Sequence, residues 1–443
     1  MIRRLEWARL SSEERAALLR RAESDLDDYV DAAAAIVAAV REEGDAALVR
    51  FAREFDRADI SAAGLRVSEE EIRAAHRDAD SELVESLRFA AENIRTFHRL
   101  QMPDAFRMHE VRGGVFAGER AHPLGVVGCY VPRGKGAFPS VFLMTTVPAR
   151  VAEVERVVVL TPPGPDGRAD HATLVAAHEV GGVEIYLAGG AQAVAAAAYG
   201  TETVPRCEKI VGPGSPWVGA AKRLLGHMID TATPAGPSEA IIFADDSADG
   251  ALAAMDLLVE AEHGPDSSAY LVTTSAAVAD AAIATLPRLW DAMTDERVKY
   301  TRAVLGGDYG GVLIVPDLAT AYGFINDYAP EHLEILSRDP FSHLGAIRNA
   351  GEVLLGSHTP VPLGNFVLGP NAVLPTGGAA RRASPLSVHD YLRRSSVGYV
   401  TPGAYSEMAR HAEYLARYEG FSAHGNAVSS LRREIMKSDE DGG

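Results

Sequence analysis

From residue 124 onward the chain carries short apolar runs that polar residues do not interrupt in alternation: LGVVGCYV (124–131), RVVVLTPP (156–163), VEIYLAGG (183–190), AIIFADD (240–246), AYLVTT (269–274), GVLIVP (311–316) and EVLLG (352–356). Strands of this kind need cover on both faces. Helical stretches at 140–152, 171–180, 191–199, 215–226, 275–293 and 317–328 fall between them, which is the βαβ order of a parallel sheet. At 443 residues the chain exceeds a single core. The expectation is an α/β fold with two Rossmann-like lobes built on parallel-rich sheets. Residues 1–100 read as helices: Ser11-Ser12-Glu13-Glu14 starts one, and 27–41 and 81–98 are amphipathic. A Gly- and Pro-rich loop region covers 360–387, a last helical piece runs from His389, and KSDEDGG (437–443) reads as a disordered acidic tail.

Charge and cysteine content exclude several classes. Lys plus Arg number 43 against 61 Asp plus Glu, a net charge of -18, with the basic residues scattered, so no nucleic-acid surface is expected. Two cysteines, Cys129 and Cys207, make no disulfide framework, which fits a reducing cytoplasm. The N-terminus lacks the apolar core of a signal peptide, and no run of about 18 apolar residues exists to span a membrane.

Polar residues concentrate in a few stretches. In LAAMDLLVEAEHGPD (252–266), Glu260 and His263 are expected in the last helical turn at i and i+3, on one face. A carboxylate and an imidazole so placed suit zinc, and they equally suit a solvated ion pair or a charge complement to the helix C-terminus. NDYAPEHL (326–333) puts Pro330 at a helix N1 position with Glu331 and His332 in the first turn, either as a dipole complement or as a general base paired with a water activator. GNFVLGPNAVLPT (364–376) offers Asn365 as an oxygen ligand or as turn chemistry. TPAGPSE (233–239) sets Ser238 before a strand, EGFSAHGNAV (419–428) offers Glu419 and His424, and GPGS (212–215) follows the strand EKIV. The GPGS amides suit a phosphate or a tight turn. The G-x-G-x-x-G fingerprint is missing.

Taken in order, TPAGPSE, AEHGPD, NDYAPEHL, PNAVLPT, SPLSV (384–388) and EGFSAHGNAV closely resemble the histidinol dehydrogenase family from about Gly125 to Val428. The resemblance implies a soluble homodimer that uses one zinc per active site and two NAD molecules to oxidise an amino alcohol through an aldehyde to the acid. It places the zinc ligands at Glu260, His263, Asn365 and His424, the last reaching across from the other subunit. The catalytic pair falls at Glu331 and His332, cofactor contacts at Tyr130, Gln192 and Ser215, and substrate contacts at Ser238 and Glu419 together with the ligands and His332. Pattern and resemblance together divide the chain into an N-terminal helical segment (1–25), a discontinuous first lobe carrying most of the metal site (26–128 and 239–378), a cofactor-side lobe (129–238) and a C-terminal helical segment reaching the partner (379–443).

The sequence departs from the family pattern at informative places. Family members carry Gln and Asp where Glu260 and Asn365 stand, so amide and carboxylate have exchanged places and the ligand set keeps its charge of -1. Ala372 replaces a usual His, Phe366 a common Tyr and Ser215 a usual Asn. Lost hydrogen-bonding groups discriminate against a polar substrate. RAHPLGVVGCYVP (120–132), with His122 available to an anion, is similar to the family branch that oxidises sulfopropanediol. The readings are therefore oxidation of L-histidinol to L-histidine, the same chemistry on another primary alcohol such as a sulfonated diol, and an inactive binding homologue.

Overall fold

The unalternated runs become parallel strands. In the computed structural model, which describes residues 2–21, 26–133 and 136–440, six strands form an all-parallel sheet in the order Arg4–Glu6, Gly310–Ile314, Ser268–Thr273, Glu239–Ala244, His332–Leu336, Glu352–Leu355. Four more, in the order Val183–Leu187, Arg156–Thr161, Val126–Tyr130, Lys209–Val211, form a second parallel sheet. Every residue of Glu239–Ala244, Ser268–Thr273 and His332–Leu336 is buried, as strands covered on both faces require. The strand order reverses at Glu239–Ala244 in the six-stranded sheet and at Val126–Tyr130 in the four-stranded one. That reversal opens a crevice at the strand ends.

Contacts divide the chain into two compact units, 1–102 with 123–391, and 103–122 with 392–443. The first holds both parallel sheets and the N-terminal helices. Asp27–Glu43 packs on Gly190–Tyr199 and Pro216–Leu225, while Glu69–Arg77 and Ser81–Leu100 pack on His171–Val180. Ser11 and Ser68 close capping boxes with Glu14 and Glu71, so the helix-start signal at Ser11 is realised. The second unit holds the antiparallel hairpin Phe106–Arg112 and Val115–Pro123, with Leu392–Val400 completing a three-stranded sheet, followed by Pro402–Tyr418, Ser422–Asn426 and Ser430–Glu440. No helix among the described residues is long and apolar enough to cross a membrane.

Several expectations are corrected. Residues 392–400 are a strand, not part of a helical tail; LRRSSVGYV gains its pairing from a hairpin almost 300 residues earlier, which local pattern does not register. Arg4–Glu6 is an edge strand, and a further helix runs over Asp295–Gly306. Asn365 sits in a short helix, Val361–Phe366, inside the stretch expected to be loop. The Ser430–Glu440 helix takes in the first four residues of the expected disordered tail; the last three, like residues 22–25, lie outside the described residues.

Beneath the strand carrying His332, Glu334 is fully buried against the Asp256 carboxyl of Gly250–Ala261. Burial, with the nearby Asp256 charge adding to it, pushes Glu334 up to about 9, so the carboxyl keeps its proton near neutral pH. Asp256 is also raised, again by burial. A raised folded pKa makes the stabilisation full below the unfolded value near 4.5 and lost as pH climbs toward 9. Glu334→Gln is therefore expected to flatten the decline in unfolding free energy between pH 5 and 9 by about 1–3 kcal/mol, read by denaturant titration at both pH values. An unchanged decline would show that Glu334 does not keep that proton.

Candidate active site and metal centre

Four of the polar stretches, those with Ser238, Glu260 and His263, Glu331 and His332, and Asn365, meet at the amino-terminal edge of the six-stranded sheet. Ala329 takes a left-handed conformation (φ 53) after the Leu318–Tyr328 helix, Pro330 follows, and the strand begins at His332. Glu331 and His332 thus stand at a strand start and not in the first turn of a helix, because HLEIL pairs with Glu239–Ala244 on one side and Glu352–Leu355 on the other. His263 is likewise one residue past the Glu262 cap of the Gly250–Ala261 helix rather than inside its last turn. A tightened backbone bond from His263 N to Glu260 O (3.3 Å) keeps the two side chains together.

Glu260 is 1% exposed. One of its oxygens accepts from Asn365 Nδ2 (2.9 Å), and the other lies 3.2 Å from His263 Nδ1. Burial works to raise this carboxyl, yet His263, His332 and hydrogen bonds from Asn365 and Ser238 hold it below its ordinary range. Carboxylate and imidazole from one segment and amide from another therefore converge, with Ser238 from a third beside them. Gly364 permits the approach of the Asn365 helix: a Cβ there would stand 2.7 Å from both Glu352 oxygens.

His332 is buried with its Nδ1 at 3.0 Å from Glu352 Oε2, its register partner on the adjacent strand, and its Nε2 at 3.9 Å from Glu331 Oε1. Burial disfavours the imidazolium, but Glu331, Glu260 and Glu352 outweigh it and push His332 up to about 9. Glu331 is pushed up to about 8, chiefly by burial. Its other oxygen accepts from Glu239 N (3.0 Å), and Arg21 Nε bonds Glu239 Oε1 (2.8 Å). Sequence reasoning missed Glu352, Glu239 and Arg21. Only the register of two parallel strands reveals Glu352, and nothing local marks the other two.

The donor set fits a borderline dication. A buried carboxylate flanked by imidazole and amide is zinc chemistry, and Glu352 Oε1 is a buried acceptor lacking a hydrogen bond in a cluster crowded with carboxylates. A cation relieves that crowding. Glu419 and His424 lie in the second unit, both exposed, at the cap of Pro402–Tyr418 and in Ser422–Asn426.

The cofactor candidates border the second crevice. Tyr130 ends its strand with its hydroxyl accepting from Gly190 N (3.1 Å), and Gln192 is buried in the first turn of the helix that follows. Gly212 has φ 107, and a Cβ there would collide with Tyr130 O. Ser215 caps Pro216–Leu225 without a side-chain bond to it, and its hydroxyl borders a cavity of about 240 Å³ shared with Lys222, Thr231–Pro237 and Thr376. Lys222 Nζ donates to Gly212 O (2.7 Å), and burial pulls it down to about 8. Glycine approaches at a strand-to-helix turn beside an amine suit a dinucleotide's phosphates.

A mixed α/β chain with two parallel sheets, a dinucleotide-type crevice and a buried acid–imidazole cluster belongs to the class of nicotinamide-linked oxidoreductases. The histidinol dehydrogenase family model matches residues 19–432. The chain is 60% identical to histidinol dehydrogenase homolog 2 of Mesorhizobium japonicum, over 96% of its own length and 97% of the relative's. It is 46% identical to histidinol dehydrogenase of Synechocystis over 97% and 98%. The crystal structure of histidinol dehydrogenase from Elizabethkingia anophelis superposes with a TM-score of 0.92, at 30% identity over 99% of each chain. The chain belongs to the histidinol dehydrogenase family of NAD-dependent alcohol dehydrogenases.

Proposed function

We propose that this chain carries out the zinc-assisted, four-electron oxidation of L-histidinol to L-histidine, with two NAD molecules reduced in turn. The observation that carries the reading is the gathering of Glu260, His263 and Asn365 beside the Glu331–His332 pair, around a buried carboxylate and imidazole. Glu260, His263 and Asn365 would hold the zinc, with His424 of a second copy in a homodimer completing the set; Tyr130, Gln192 and Ser215 would border NAD; Ser238 and Glu419 would orient substrate.

The chemistry a zinc ion supplies when held there is polarisation of the substrate oxygen. Glu352 fixes the His332 tautomer by taking Nδ1–H, so Nε2, once it sheds its own proton as pH rises toward 9, is the atom that accepts the hydroxyl proton as hydride leaves the carbinol carbon for NAD. The surrounding carboxylates stabilise the imidazolium that results. Glu239 N–H pins one Glu331 oxygen and leaves the other to take a proton from the water that adds to the aldehyde. The hydrate then yields the second hydride. In total one alcohol and one water become one carboxylate, with two NADH and three protons.

A second substrate reading rests on Ala372 and Phe366, which withhold an imidazole and a hydroxyl from the segment bearing Asn365. Under it the same residues act on another primary alcohol, such as a sulfonated diol. NADH formation with L-histidinol beside a panel of three-carbon diols tests both. Turnover of L-histidinol at micromolar concentration supports the first reading, turnover of a diol alone supports the second, and no NADH from any primary alcohol would leave a binding protein.

A further inference from the structure

Apart from this site, a cluster of ligating side chains among the described residues stands between two helices. His76 lies in the last turn of Glu69–Arg77, and His178 and Glu179 in the last turn of His171–Val180, which packs against it. His76 Nε2 is 2.9 Å from Glu179 Oε1, and the His76 and His178 rings stack with centroids 3.8 Å apart and planes 23° from parallel. One ligand atom from each of the three residues lies within 4.8 Å of the others. From the Ser81–Leu100 helix, Arg88 bonds both Glu179 oxygens (3.0 and 3.1 Å). Arg88 and His76 outweigh burial and keep the carboxylate below its ordinary range.

We propose that His76, His178 and Glu179 form a second divalent-metal site, taking an ion of the zinc class, that staples Glu69–Arg77 to His171–Val180. Two imidazole nitrogens and one carboxylate oxygen are the donors such an ion prefers. The carbonyl ends of two helices meet at the cluster, and their partial negative charge favours a cation there. Ligand atoms around zinc sit about 3.4 Å apart, given bonds near 2.1 Å, so the cluster must contract by roughly 1 Å. His178 is exposed and free to turn, while Arg88, 66% exposed, can leave for solvent. In the metal-free protein Arg88 occupies the charge that the ion would neutralise.

The test is zinc titration by calorimetry of the chelator-stripped full chain, with metal content counted separately for His263→Ala and His178→Ala. The expected result is that His178→Ala loses one zinc per chain while His263→Ala keeps it. In His263→Ala, zinc raises the melting temperature by several degrees; in His178→Ala/His263→Ala it does not. Arg88→Gln, by removing the competing cation, tightens binding about tenfold. Because the two histidines are scored separately, loss of the zinc proposed at Glu260 leaves this result readable. Equal zinc stoichiometry in His178→Ala and the unaltered chain, or an Arg88→Gln protein that binds no tighter, would overturn the proposal.

Discussion

His332→Ala is expected to lower alcohol oxidation by about 10²–10⁴-fold, the range over which a positioned general base acts in its reaction. The side chain is enclosed, with Glu352 on Nδ1 and Glu331 facing Nε2, so its loss removes the imidazole that both carboxyls position. Glu331→Gln separates the two oxidations. It keeps the hydrogen bond from Glu239 N to the side chain and removes the acceptor for water's proton. Single-turnover kinetics would then show the first NADH formed at near the unaltered rate and the second slowed by about 10²-fold or more. Equal slowing of both would contradict the division of labour.

The second large effect concerns the exchanged ligands. Glu260 is the carboxylate of the proposed set, so Glu260→Gln leaves amides and imidazoles around a dication and is expected to weaken zinc binding by at least about 10²-fold. Adding Asn365→Asp returns the charge on the opposite side of the same 2.9 Å contact. The double variant, which exchanges amide and carboxylate while keeping the charge of the set, should recover most of the affinity, measured by competition with a chromogenic chelator. If the single and double variants bind zinc equally weakly, charge is not what the exchange conserves.

Much of the fold was legible because burial on both faces leaves an unmistakable pattern. VEIYL, AIIFA and AYLVT admit no solvent-facing register, and the parallel sheets follow. The hairpin at 106–123 and its partner 392–400 were not legible, since their strands are largely exposed and their pairing spans the chain. Within the site, Glu260, His263, Asn365, Glu331 and His332 could be named from motifs, but their backbone settings could not. Pro330 fits a helix N1 and a strand lead-in equally well, and only pairing of HLEIL with two neighbours decides between them. Glu352 was invisible for a related reason: it becomes a partner of His332 through strand register, 20 residues away in sequence.

The most direct test is diffraction from zinc-loaded crystals recorded on both sides of the zinc absorption edge. The account predicts an anomalous peak within bonding distance of Glu260, His263 and Asn365, with His424 of a second copy as the fourth ligand. Zinc density confined to other residues, with those three still joined only by hydrogen bonds, would contradict it.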